Sequence, residues 1–598
     1  MGGATIEQRN DAQTLPDALF SAGVESKSGV HFFSRSGVVE SHSYAELHRD
    51  ARALAAVLIQ EQGLRPGDTV ALFLSTSNDF VRALFAVLIA RATPTCLPTP
   101  RMGRMADYQT ATAAMLTAAR VKLVLTEANL VKNLASVAAA VSPAPELRAV
   151  PGLEHSASRS QAPDADQPGG GPEDLRKDPP EDSRRGAGLA LIQFSSGTTV
   201  APKPIALTHK NILSNTRSIL ASFPGDIREH SGCSWLPLHH DMGLIGGLFS
   251  AVVARGDMTF LRPEDFIARP AAWLRALSQS RATICPAPNF ALQICIERVR
   301  EEDIAELDLS RWKIALIGAE TVREPTLRRF YERFQSTGFR YESFTPVYGL
   351  AEATLAVTFS EVQRSPLGIR VDREELGRGV VRLADPARTD EKLASHAIEV
   401  VSVGRPLAGI DLELRDGRGE ALGADRVGRI YVRGDCVMAG YFERPAATAA
   451  AIQNAWLDTG DLGFIHDDEL YIYGRERDII ILNGRNHDPQ TIEFALDRVP
   501  ALDHDRAAAV AVDDPERGTE SFVVLVEKEK GRHDDPLEEL ARSAREAVIS
   551  ETGLIPESVA IIATGRLPRT TSGKIKRGAS RTQYLSGELE ILAESRRG

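Results

Sequence analysis

Short apolar runs alternate with segments whose apolar residues recur every three to four positions, and this alternation restricts the chain to an α/β architecture. Residues 43–63 carry Leu47, Ala51, Leu54 and Leu58 on one face, with Ser43 and Glu46 spaced as a capping box, which predicts a helix. Residues 69–74 then read as a strand, 79–90 as a helix, and 121–126 as a strand reached through a helical pattern before Arg120. Such units join by right-handed crossovers into a largely parallel sheet. The alternation returns at 189–194 and continues through strands near 258–261 and 314–317 and a helix near 271–280. No repeats are visible.

Two changes of texture divide the chain. Pro, Gly, Ser, Asp and Arg dominate residues 150–188, which read as a flexible insertion within a domain. After about residue 400, short strands between Gly and Asp turns, such as 410–415 and 428–433, predict a β-rich subdomain. Past Gly474 the pattern is that of a separate compact unit of roughly 120 residues. The expected organisation is therefore a large N-terminal domain (1–474) of βαβ-rich subdomains plus the β-rich one, and a small α+β C-terminal domain (475–598).

Composition bears mainly on what the chain is not. With 43% hydrophobic and 25% charged residues it has an ordinary globular balance. A net charge of −11 argues against nucleic-acid binding. The five cysteines, at 96, 233, 285, 295 and 436, form no CxxC pair and fit buried thiols in a reducing cytoplasm. The polar N-terminus has no signal-peptide pattern, and the longest apolar stretches, such as 244–254, are shorter than a membrane span. The expectation is a cytoplasmic protein.

The stretch LIQFSSGTTVAPKPIALTH (191–209) ends an apolar run at Ser195, Ser196, Gly197, Thr198 and Thr199, with Lys203 between two prolines. A glycine among hydroxyls lets backbone N–H groups and side-chain donors approach an anion, which is phosphate-binding chemistry. The spacing is not that of a Walker loop, and a polar turn that happens to hold a lysine reads equally well. At 234–243, His239, His240 and Asp241 sit at an expected strand end. A metal site would need a third ligand cluster, which the neighbourhood lacks.

Further along, Gly318, Ala319 and Glu320 end a strand with residues small enough for a flat ring to lie on the backbone. Tyr348, Gly349 and Glu352 offer an aromatic face and, four residues on, a carboxylate suited to a hard cation such as Mg²⁺. Asp461 falls in an expected glycine-flanked turn and suits a ribose diol. Arg475 and Arg477 follow in YGRERD, and Lys574 lies in the basic loop LPRTTSGKIKR. Taken singly, each has a plain reading as core packing, a solvated acid or a basic tail.

In this order and spacing, from about residue 30 to about residue 585, the set resembles the acyl-adenylate-forming superfamily. SWLPLHHDMGLIGG, VYGLAEATLAVTF and ELYIYGRERDIIILNGRNHDPQTIE resemble its fatty acyl-AMP ligases in particular. Gly404 follows Thr354 by 50 positions, and fatty acyl-AMP ligases resemble this chain in carrying an extra segment there that is held to disfavour CoA; an ordinary surface loop at 360–379 is the other reading.

The resemblance implies a carboxylic acid and ATP reacting to acyl-AMP and pyrophosphate. It assigns the 195–199 loop and Lys203 to the β- and γ-phosphates. Adenine goes to Tyr348, Gly349 and Gly318 to Glu320, ribose to Asp461 and Arg475, magnesium to Glu352 and the acyl pocket to His240. It gives the bridge between carboxylate and α-phosphate to Lys574. It further implies a mobile C-terminal domain hinged at Arg477 and transfer of a fatty acyl group to an acyl carrier protein in lipid or polyketide assembly, with CoA as the alternative acceptor. Pro204 and His239 depart from the family pattern, in place of a glycine and an aromatic residue. A catalytically dead scaffold is disfavoured because Lys574, Glu352 and Asp461 are all present.

Overall fold

The computed structural model describes residues 12–34, 37–100, 105–150, 188–194, 203–384, 397–482, 485–514, 519–528, 536–570 and 574–597. Most of the 150–188 insertion and the five residues Ser195 to Thr199 lie outside them.

The expected alternation is realised as two α/β sheets. The larger has nine strands, in the order Arg405–Pro406, Ala356–Phe359, Phe344–Gly349, Ile314–Ile317, Ile284–Ala287, Gly232–Ser234, Met258–Leu261, Gly29–Ser34 and Gly37–Ser43. The six strands from Phe344–Gly349 to Gly29–Ser34 are mutually parallel, while the outer strands are antiparallel. The smaller sheet, Thr93–Cys96, Thr69–Phe73, Val121–Thr126 and Glu146–Ala149, is wholly parallel. One apolar cluster joins both sheets through Leu84, Phe85, Leu248 and Phe249. The capping box forms as read: the helix Tyr44–Gln60 starts at Ser43, whose hydroxyl accepts from the Glu46 N–H at 3.3 Å while Glu46 accepts from the Ser43 N–H at 2.9 Å.

The β-rich part pairs Ile410–Arg415, Gly428–Gly434, Trp456–His466 and Glu469–Arg475 antiparallel. The turn expected at Asp461 is replaced here by one continuous strand of 11 residues. Pairing with Gly428–Gly434 slips between Arg429 and Tyr431, so Thr459, Gly460 and Asp461 bulge out, with Gly460 at φ +72°. Nor is 234–243 a strand end throughout. The strand stops at Ser234, and a three-residue helix, Asp241–Gly243, leads into the helical stretch that ends at Ala254.

The 360–379 segment is built rather than loose. Gly368–Asp372 pairs with Ala397–Val401, and the helix Arg373–Gly377 follows directly. From Ile480 onward the buried residues form two clusters of their own around the sheet Ala507–Asp514, Thr519–Glu527, Ser558–Ile562 and Ile591–Arg596. No described helix is long and apolar enough to cross a membrane.

Candidate active site

A cleft of ≈ 1770 Å³ runs between the parallel strand ends of the large sheet, the β-rich strands and the C-terminal unit whose own core begins at Ile480. Lys203, His240, Asp241, Ala319, Glu320, Tyr348, Gly349, Glu352, Asp461, Arg475, Arg477 and Lys574 all line it. Residues far apart in sequence therefore share one surface.

Its floor is the turn after Phe344–Gly349. Gly349 is required there, because a Cβ would lie 1.7 Å from the Leu355 carbonyl oxygen. The tight crossing presents Tyr348 on one side and Glu352, in the short helical turn Ala351–Ala353, on the other. The Tyr348 hydroxyl donates to Asp461 Oδ2 at 2.7 Å, and the other Asp461 oxygen pairs with Arg475 Nε at 3.2 Å. The bulge aims Asp461 at both partners, and the carboxylate is almost fully buried. Burial and the Asp461 charge push the Tyr348 phenol up, so it remains a donor. Asp461 in turn holds the Arg475 guanidinium above its ordinary value.

The next strand end supplies the opposite wall. A Cβ on Gly318 would lie 2.7 Å from Val347 Cγ2 and 2.8 Å from its carbonyl, so only glycine lets the two strand ends approach this closely. Ala319 follows at φ +68°, and Glu320 accepts the Phe290 N–H at 2.6 Å. Burial pushes Glu320 up to about 7, aided by the charge of Asp505.

Lys203 precedes the strand Pro204–Thr208, and Pro204 takes the first strand position, which tolerates proline. Its ammonium lies 4.8 Å from the centre of the Tyr441 ring, on the neighbouring strand Gly440–Tyr441. The Tyr441 hydroxyl donates to Glu352 Oε1 at 3.1 Å, and burial raises the Glu352 carboxyl. Tyr441 thus links the lysine to the acid. Sequence reasoning missed it, and its only local signal was a Gly-Tyr pair after a strand.

Lys574 enters from the C-terminal unit. Its loop is closed by the Arg569–Ile575 bridge, and the Thr570 N–H donates to the Lys574 carbonyl at 2.7 Å. Burial lowers the ammonium, while the charges of Glu320, Asp241 and Asp461 oppose that shift. Asp241, itself raised by burial, was noticed in sequence only as a neighbour of the histidines. His239 and His240 have ring centres 4.6 Å apart. Among the described residues, the one cluster of His and acidic ligand atoms close enough to hold a metal is Asp497, Asp503 and His504, so His239, His240 and Asp241 form no such set. Arg477 sits in the one-turn helix Glu476–Asp478 between the β-rich strands and the C-terminal unit.

Three cations from separate elements, Lys203, Arg475 and Lys574, thus face one cleft beside an aromatic ring and buried acids. Fold and cleft together define an acyl-adenylate-forming enzyme. The structure superimposes on a fatty acyl-adenylate ligase solved in a study of the E. coli and L. pneumophila enzymes, with a TM-score of 0.84 and 30% identity, covering 97% of this chain and 99% of that one. In sequence the chain is 33% identical to a putative acyl-CoA synthetase of Caulobacter vibrioides, covering 96% of each. It is 32% identical to the medium-chain-fatty-acid–[acyl-carrier-protein] ligase JamA of Moorena producens, again covering 96% of each. Residues 24–442 match the AMP-binding enzyme family, and this chain belongs to that family as an AMP-forming ligase.

Proposed function

We propose that the protein activates a medium- or long-chain fatty acid with ATP to acyl-AMP and pyrophosphate, then passes the acyl group to the phosphopantetheine thiol of an acyl carrier protein. The observation that carries the reading is the meeting of Lys574 with the network of Tyr348, Asp461 and Arg475 in one cleft, since adenylation is largely alignment and charge neutralisation.

In the first step the Tyr348 ring and the Gly318–Ala319–Glu320 backbone flank adenine, and Gly349 lets the two walls approach. Asp461 accepts from the ribose diol, with Arg475 fixing its second oxygen. Lys574 places its ammonium between the attacking carboxylate and the α-phosphate oxygens, where negative charge develops. Lys203, with the loop Ser195 to Thr199, holds the β- and γ-phosphates that leave. His240 borders the acyl end of the cleft. Glu352 fits magnesium, because a single buried carboxylate beside substrate phosphates is the usual donor set for that ion. Held by Glu352, magnesium would supply positive charge to offset that of the phosphates.

Transfer to a thiol requires the C-terminal unit, residues 475–598, to turn about Arg477 and withdraw Lys574. The carrier-protein acceptor is supported by the similarity to JamA and by the built segment at 360–379; the putative acyl-CoA synthetase relative supports CoA as the second reading. The cytoplasm is the proposed compartment. Pyrophosphate release measured over straight-chain acids of graded length tests the first step. Release that depends on acids of medium or longer chain is expected, and equal release with amino acids would contradict it.

A further inference from the structure

The turn that ends in Glu320 continues into Thr321, Val322 and Arg323, and these residues reach across to the C-terminal unit. Arg323 Nη1 pairs with Asp497 Oδ2 at 2.8 Å, and its guanidinium lies 3.5 Å from the centre of the Phe494 ring. The second Asp497 oxygen meets His504 Nδ1 at 2.6 Å, and the His504 ring stands edge-on to Phe494, with centres 4.8 Å apart. Thr321 hydrogen-bonds Gln490. On its own side the segment is pinned at both ends: the Arg323 N–H donates to Asn289 Oδ1 at 3.2 Å, and Glu320 accepts from the Phe290 N–H.

The contact runs on toward the reacting centre. Asp505 follows His504 in the short turn His504–Arg506, and its carbonyl accepts from Arg569 Nη2 at 2.9 Å. Arg569 and Ile575 form the bridge that closes the loop carrying Lys574. A chain of direct contacts therefore joins Arg323 to Lys574, passing through Asp497, His504, Asp505 and Arg569.

We propose that Arg323 is a positioning residue that clasps the C-terminal unit in the arrangement placing Lys574 in the cleft, and that this clasp opens before the acyl group reaches a thiol. The inference rests on the two-step reading above. An exposed ion pair alone would do little. Here Arg323, three residues beyond Glu320, meets both a carboxylate and a ring face of the C-terminal unit. Burial would raise the Asp497 carboxyl, yet His504 and Arg323 hold it at about 2, so the pair remains ionised. The bonds of Arg323 to Asp497 and Phe494 and of Thr321 to Gln490 cross to the C-terminal unit and would not survive its rotation away from the large sheet.

The test separates the half-reactions in the full-length enzyme. Acyl-AMP formation from ATP and fatty acid is timed by rapid quench, and transfer is timed from supplied acyl-AMP to phosphopantetheinylated acyl carrier protein. Arg323→Ala and Asp497→Asn, which break the clasp from opposite sides, are each expected to slow acyl-AMP formation about tenfold. Transfer should stay at or above the wild-type rate, which also shows that the variants fold. The double variant should be no slower than either single one. Equal slowing of both half-reactions, no slowing of either, or losses that multiply in the double variant would overturn the clasp. A wild-type enzyme that forms no acyl-AMP would instead overturn the functional reading, and the same assay shows this before any variant is compared.

Discussion

At the scale of single residues the site is a problem of keeping charges usable in a partly dry cleft. In the proposed reaction Lys574 acts as an ammonium that stabilises developing phosphate charge, yet burial works against that form. Lys574→Ala should lower the rate of acyl-AMP formation about 10²- to 10³-fold while leaving transfer from supplied acyl-AMP largely intact, as single-turnover assays of each step would show. Glu320 sharpens the point. Ionised above about 7, its carboxylate favours the charged lysine. Because the lysine pKa is lowered, activity falls as pH rises through it, and removing Glu320 lowers it further. In Glu320→Gln, which keeps an acceptor for the Phe290 N–H, the alkaline limb of the rate of acyl-AMP formation should therefore move to lower pH. An unmoved limb would show that the two groups do not interact. Asp461→Asn weakens a charge-assisted set worth roughly 1.5–3 kcal/mol, so the KM for ATP should rise about tenfold or more. Part of this site was legible in sequence because Lys203, Gly318 to Glu320, Tyr348 and Arg475 lie at or beside strand ends, whereas Asp461 lies within a bulged strand and Lys574 in a loop of the C-terminal unit. Tyr441 was not: its partner Glu352 lies 89 residues away, and only the pairing of Gly440–Tyr441 with Pro204–Thr208 brings the two together.

At the scale of elements, boundaries set by local chemistry were readable and those set by pairing were not. The strands Leu189–Phe194, Met258–Leu261 and Ile314–Ile317 and the helix Ala271–Ser280 lie where periodicity puts them. The Ser43 cap is likewise local, and Ser43→Ala should cost about 1 kcal/mol in denaturant unfolding, since the bond from the Glu46 N–H to the Ser43 hydroxyl is lost. The segment around Asp461 has the composition of a turn. It becomes a bulged strand only because Gly428–Gly434 on one side and Glu469–Arg475 on the other supply ladder partners. Gly349 is the opposite case, a residue whose need is geometric rather than compositional. Gly349→Ala would force a methyl into the Leu355 carbonyl, and a loss on the order of 3 kcal/mol is expected from the urea midpoint of the main transition. In sequence the 360–379 segment fits either loop or structure, and only the long-range pairing of Gly368–Asp372 with Ala397–Val401 decides between them.

At the scale of the whole molecule, one cleft draws its residues from the large sheet, the β-rich strands and the C-terminal unit, so chemistry and domain position are inseparable. The segment at 360–379 also touches that unit: Arg373 Nη1 donates to the Glu551 carbonyl at 2.8 Å, and Glu374 pairs with Arg485 at 3.3 Å. The most direct measurement is a competition. The enzyme is given ATP, magnesium and a medium-chain fatty acid with equal concentrations of CoA and phosphopantetheinylated acyl carrier protein, and both thioesters are followed by mass spectrometry. The account predicts acyl-carrier protein as the dominant product, formed together with pyrophosphate. Acyl-CoA forming at the same rate or faster would contradict it.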